Sequence, residues 1–226
     1  MIAGDMRARD EILARVRAAT ADIGSMVGDR PPVTTWDDVG SDADRTLDLF
    51  AETVADYRAD VVRVDPAQVG TAVTEALLRH GCRGAVVPAD LPEDWVAAVT
   101  AAGDLHVDDG RLAADDLDRI DAVVTGAALG VATTGTIILD HRSGQGRRTI
   151  TLVPDTHVCV IRADQVVHDV PEAIHRMRPG SDDVPPLTWI SGPSATSDIE
   201  LERVEGVHGP RTLVVVLVDT DRRPTP

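Results

Sequence analysis

Three short segments hold the residues able to do chemistry. The first is Thr133-Thr134-Gly135-Thr136, where hydroxyls flank a glycine that lets backbone N–H groups approach an anion closely. It lacks the lysine and the Gly-x4-Gly-Lys spacing of a phosphate-binding P-loop, and an ordinary tight turn would use the same residues. The second is His141-Arg142-Ser143-Gly144-Gln145-Gly146-Arg147-Arg148. No acidic residue lies between Asp140 and Asp155, so Arg147 and Arg148, with Arg142 nearby, form a basic island in an acidic chain. A planar guanidinium suits bidentate capture of a carboxylate or phosphate. A hairpin tip paired with neighbouring aspartates is the plainer alternative.

The third segment runs from Ser191-Gly192-Pro193-Ser194 through Thr196, Ser197, Asp198 and Glu200 to Gly206-Val207-His208-Gly209-Pro210. If a helix starts here, its unpaired N–H groups favour an anion. Ser197 and Glu200 also fit a capping box, which would account for both without a ligand. His208 is a candidate acid or base near neutral pH, or a turn fixed by a backbone hydrogen bond. Ser194, Asp198 and His208 supply nucleophile, orienter and base by type, but no Gly-x-Ser-x-Gly elbow surrounds the serine. His157 and Cys159 share a strand face, and two ligands do not make a metal site. No metal is assigned.

Positioning these residues requires a folded frame, and composition bounds what kind. The chain has 226 residues, a formal charge of −16, no lysine and no asparagine, so all 22 basic residues are arginine. Asp outnumbers Glu 30 to 8. That balance disfavours a nucleic-acid or anionic-membrane partner, which clustered positive charge would attract. The two cysteines, Cys82 and Cys159, are too few for an iron–sulfur cluster or structural zinc within this chain. They fit a reducing cytosol. The first residues lack the apolar core of a signal peptide, and no apolar run is long enough to span a bilayer. A cytoplasmic protein is expected.

Periodicity predicts a helical N-terminal arm over residues 1–59, with helices around Ile12, Leu13 and Val16 and over 43–58. Beyond it, strands at 61–64, 85–87 and 121–125 alternate with helices at 66–80 and 92–102. Further strands are predicted at 135–139, 148–153, 157–161, 187–190 and 212–218, with a helix at 164–177. This alternation predicts an α/β domain over 60–218, built on a mostly parallel sheet covered on both faces. Residues 219–226 read as a flexible tail.

The ordered set Thr134-Gly135-Thr136-Ile137, Gly144-Gln145-Gly146-Arg147, Thr151-Leu152-Val153-Pro154, Ser191-Gly192-Pro193-Ser194-x-Thr196-x-Asp198-Ile199-Glu200 and Gly206-Val207-His208-Gly209-Pro210 resembles the lactate utilisation protein C family of LUD-domain proteins. The resemblance covers about residues 60–218. It implies a three-layer fold like the NagB/RpiA/CoA-transferase group, and a non-redox subunit in oxidation of L-lactate to pyruvate rather than an independent catalyst. Iron–sulfur clusters are then expected in partner proteins, with no cofactor in this chain. A small anionic ligand would be held by Thr134, Gly135, Thr136, Gln145, Gly146, Arg147, Ser191, Gly192, Ser194, Thr196, Asp198, Glu200 and Gly209, with His208 as candidate catalytic residue. One departure is Thr133, where family members often carry glutamate; the change removes a charge and a possible base. Two alternatives stand beside this reading. One is a stand-alone enzyme acting on a phosphorylated, folate or CoA substrate, and the other an interaction scaffold using the arm.

Overall fold

The computed structural model describes residues 3–19, 21, 43–177, 186–196, 204–205 and 209–219. They fall into two compact units, 1–37 and 38–226. The first unit contains helix α1 (Ala3–Ala19), where Arg15 pairs with Glu11 one turn earlier.

The second unit's chain begins with α2 (Ala43–Asp56), then β1 (Asp60–Val64). Asp65 and Pro66 then open a short 3₁₀ turn that leads into α3 (Val69–Arg79). Proline is tolerated there because the first N–H groups of a helix have no intrahelical partner. Next come β2 (Gly84–Pro88), α4 (Glu93–Ala102), β3 (Asp104–Asp108), the single-turn α5 (Ala114–Leu117) and β4 (Ala122–Gly126). The second half contains β5 (Leu129–Val131), β6 (Thr136–Leu139), β7 (Thr156–Arg162), β8 (Val166–Val167), α6 (Val170–Met177) and β9 (Thr188–Ile190). It ends with the paired residues β10 (Ala195–Thr196) and β11 (Val204–Glu205), and with β12 (Thr212–Val218).

Six strands form one parallel sheet in the order β1-β12-β7-β4-β2-β3. Its central strands are apolar on both faces, as a doubly covered sheet requires. One set of alternating residues, including Val87, Val124, Val160 and Val216, packs under α3 and α4. The opposite set divides between two clusters. Cys159, Ile161, Val215 and Leu217 meet α2 and β6, while Val86 and Val123 meet Leu117 and Ile150. A second sheet, β8-β5-β6-β9, lies on that face. The result is the expected three-layer α/β architecture.

Four local expectations change. Residues 43–59 were expected in the arm, but α2 is part of the domain core: Phe50 and Val54 are fully buried against the sheet. Burying a phenylalanine stabilises by roughly 2–3 kcal/mol, ample to hold a short helix. The strand predicted at 148–153 is a 3₁₀ turn over Arg148–Thr151. Its β-branched residues satisfy tertiary packing instead: Ile150 fills the cluster beside Val86, and the Thr151 hydroxyl donates to the Arg148 carbonyl at 3.0 Å. The helix predicted from 164 starts at Val170, because Val166-Val167 pair with β5. Finally, Asp219 belongs to the domain rather than the tail: its N–H donates to the Val64 carbonyl and its carboxylate takes Arg63 at 3.0 Å.

Strand β3 is absent from the sequence reading. As an edge strand pairing only with β2, it keeps Asp104 and His106 exposed and lacks the apolar run of its neighbours.

Candidate functional site

Two clefts carry the chemistry-bearing residues. The smaller, about 290 Å³, gathers the third sequence segment: Ser191, Gly192, Ser194 and Gly209 line it, together with Arg148 and His157. Strand β9 delivers Ser191 at its end, and the loop turns back at Gly192, whose φ of 83° favours glycine. A Cβ there would lie 2.7 Å from that of Tyr57. The far wall is tied by the Ser194 N–H, which donates to the Pro210 carbonyl at 2.8 Å.

Hydroxyls lead into this cleft from the first segment. Thr134 and Thr136 share a hydrogen bond at 2.8 Å, and Thr136 meets the Ser191 hydroxyl at 2.8 Å. Gly135 has φ 56°, and a Cβ on it would fall 2.8 Å from the Thr53 backbone carbon. The Thr133–Thr136 turn is therefore seated on α2 and reaches the cleft only through the Thr136–Ser191 contact. Thr133 is exposed and lines neither cleft.

The arginines of the second segment go to three different places. Arg147 forms a two-pronged pair with Asp108, at 2.8 and 3.0 Å, and also donates to the Leu112 carbonyl. The Asp108 side chain is only 4% exposed, so releasing Arg147 would strand a buried carboxylate at a cost of several kcal/mol. Arg147 thus braces the frame through Nε and Nη2, and it lines neither cleft. Arg148, one residue on, lines the small cleft and donates to Thr188 Oγ1 at 3.2 Å. Thr188 also meets His141 Nε2 at 2.8 Å, while His141 Nδ1 meets the Gly146 carbonyl at 3.0 Å. The Thr188 hydroxyl thus links the His141 ring to the Arg148 guanidinium. Arg142 lines the other cleft.

Among the described residues lining the small cleft, Arg148 is the charged one. His157 is fully buried, with Nε2 2.8 Å from the Thr125 hydroxyl. Burial pushes its pKa down to about 4, so it is neutral at pH 7. Cys159 shares its strand face as expected, but burial pushes that thiol up to about 12. Burial also raises Cys82. Neither thiol is poised as a nucleophile. No group of three or more His, Cys, Asp or Glu among the described residues could hold a metal ion. The small cleft can therefore bind one compact anion through a guanidinium and hydroxyls, beside a neutral imidazole.

The remaining expected residues separate. Gln145 is buried; its side chain accepts from the Asp140 N–H at 2.8 Å and donates to the Asp140 carboxylate at 2.6 Å, holding its own loop. Gly146 backs onto Ile150 and Pro88. Thr196 lies in β10, paired with Val204. Asp198, Glu200, His208 and the Ser197–Glu200 capping box lie outside the described residues. Sequence reasoning singled out Arg148 within the basic island and His157 beside Cys159, and missed Thr188. The acid-free stretch between Asp140 and Asp155 was the visible signal for Arg148.

The larger cleft, about 650 Å³, lies at the carboxyl ends of β2, β4 and β7. It is lined by Asp90 and Trp95 after β2, Gly126–Leu129 after β4, and Arg162 at the end of β7. Arg142 and Arg176 complete its basic wall.

No described helix is long and apolar enough to cross a membrane. Residues 47–218 match the LUD domain, a span that includes most of α2 and both clefts. A protein named lactate utilization protein C from Deinococcus radiodurans is 46% identical over 172 residues, covering 76% of this chain and 79% of that protein. Another of that name from Geobacillus thermodenitrificans is 28% identical over 201 residues, covering 81% and 82%. The crystal structure of a DUF162 family protein from Deinococcus radiodurans superposes with a TM-score of 0.67 at 39% identity, covering 79% of this chain and 99% of that one. The chain belongs to the LUD-domain family, in company with proteins named lactate utilization protein C.

Proposed function

We propose that this protein is a cytoplasmic, non-redox subunit of an L-lactate oxidising system, and that its small cleft holds a monocarboxylate of the lactate–pyruvate pair. One observation carries the ligand assignment: a single arginine, Arg148, lines a 290 Å³ cleft together with the hydroxyl residues Thr188, Ser191 and Ser194, the neutral His157 and apolar side chains such as Leu152 and Ile190. A monocarboxylate needs one guanidinium fork, and the 2-oxygen of lactate or pyruvate can meet Ser191 or Ser194. The relatives' names support the process. Oxidation of lactate to pyruvate releases two electrons and two protons. Partner proteins with iron–sulfur clusters accept the electrons in this reading, and the present chain binds or presents the small molecule.

The test is to tag the full chain in its own host, grow cells on L-lactate, and identify what copurifies. Cysteine-rich partners with iron–sulfur absorbance and lactate oxidation in the same eluate are expected, with the isolated chain colourless and inactive. Oxidation of L-lactate by the isolated chain without added cofactor would overturn the reading, as would unimpaired growth on L-lactate after deletion of the gene.

A further inference from the structure

We infer that the larger cleft is a second binding site, built for an organic phosphate of nucleotide size that carries hydroxyl groups. The inference does not depend on the carboxylate assigned to the smaller cleft.

Topology makes the place special. From β2 the chain passes through α4 to β3, on one side of β2 in the sheet; from β4 it leaves for β7, on the other side. The first connection packs with α3 on one face, and the second runs through β5 and β6 on the opposite face. Adjacent strands β2 and β4 thus send their connections apart, leaving a crevice beyond their carboxyl ends, where open α/β sheets bind ligands. The cleft lies there, and its 650 Å³ is in the range of sites for cofactor-sized molecules.

Its lining specifies the ligand's chemistry. Arg142, Arg162 and Arg176 reach it from three elements: the loop after β6, the end of β7, and α6. Three guanidiniums exceed what one carboxylate can engage, whereas a phosphate offers three acceptor oxygens and up to two negative charges. Arg162 is paired with Asp164 through a side chain that is 52% exposed. Such a surface pair contributes little and can give way to a stronger anion, unlike the pair that Arg147 makes with the buried Asp108. Arg176 donates to the Asp164 carbonyl.

Asp90 and Asp140 also line the cleft. Polar groups of Ser143 and Gly144 beside Asp90 hold its carboxyl below the usual range. An ionised carboxylate in an arginine-lined cleft accepts from ligand hydroxyls, as acidic residues do for ribose. Trp95 adds an aromatic ring to the lining, and Leu129 and Met177 add apolar side chains; an aromatic face suits a planar ring. Phosphate, hydroxyls and a planar group together describe a nucleotide.

Calorimetric titration of the full chain with AMP, ribose 5-phosphate, adenosine and inorganic phosphate tests this. AMP is expected to bind saturably, at least tenfold more weakly to the Arg162→Gln/Arg176→Gln double variant, and with unchanged affinity to Arg119→Gln, which removes a surface guanidinium elsewhere. Should the double variant fold poorly, tryptophan fluorescence decides: AMP quenches the native protein, and Trp95→Phe removes that quenching. Millimolar AMP and ribose 5-phosphate without a binding signal would overturn the inference. So would inorganic phosphate binding as tightly as AMP, or displacement of AMP by pyruvate, which would merge the two clefts into one site.

Discussion

Both carboxylate oxygens of Asp108 accept hydrogen bonds from Arg147, joining the end of β3 to the loop before the 148–151 turn across 39 residues of chain. The guanidinium, one-third exposed, hydrogen-bonds the Asp108 and Leu112 acceptors. Its neighbour Arg148 has no carboxylate partner among the described residues and lines the small cleft. Adjacent residues of identical type thus take different places, one bracing the frame and the other lining the small cleft.

The two arginines should separate on substitution. Arg147→Gln strands a buried carboxylate and should cost about 2–4 kcal/mol of stability while the folded fraction still binds pyruvate. Arg148→Gln should leave the urea midpoint nearly unchanged and weaken pyruvate binding about tenfold or more, the worth of one charge-assisted contact. Equilibrium unfolding alongside calorimetric titration reads both effects. Reversed phenotypes would exchange the roles assigned here.

Gly135→Ala tests whether the Thr133–Thr136 turn is seated on α2. The added methyl would lie 2.8 Å from the Thr53 backbone carbon, at a φ of 56°. Strain and clash together should cost about 2 kcal/mol, a fall in melting temperature of about 4–8 °C for a domain of this size. An unaltered melting temperature would show that α2 can yield.

His157 gives stability a specific pH dependence. Its folded pKa of about 4 lies below the ordinary 6.5, so between these values the unfolded chain takes up a proton that the folded chain refuses. Stability therefore falls as pH drops from about 6.5 to about 4, by about 3 kcal/mol from this group. His157→Gln should lose that component, so urea unfolding of the two proteins between pH 7 and pH 4 should converge as pH falls. Parallel curves would mean that the imidazole is protonated in the fold.

Both thiols are buried, and burial raises their pKa values. Ellman's reagent at pH 8 should leave native Cys82 and Cys159 unmodified and label both in guanidinium chloride. Rapid native labelling of Cys159 would contradict its position on the covered face of β7.

Much of the frame is legible in the chain itself. The valine-rich runs of β2, β4, β7 and β12 announce buried parallel strands, because a strand covered on both faces needs no polar alternation. Asp65-Pro66 marks a helix start by local geometry, and Leu47, Phe50 and Val54 trace the apolar face of α2. The sequence pattern did not reveal that this face belongs to the core. β3 was illegible because an edge strand need not be apolar, and Arg148–Thr151 misled because β-branched propensity is overridden when Ile150 has a core to fill.

By itself, then, the sequence determined the fold class, the family and the segments from which a site would be drawn, since these depend on local periodicity and on ordered short motifs. Tertiary structure alone decided how that material is shared out. Arg142, Arg147 and Arg148 look like one basic patch in the chain, yet they enter a larger cleft, a buried ion pair and a smaller cleft. The physical reason is that an arginine's task is set by the acids and cavities around it, such as Asp108 on a distant strand, and spacing along the chain does not encode those neighbours.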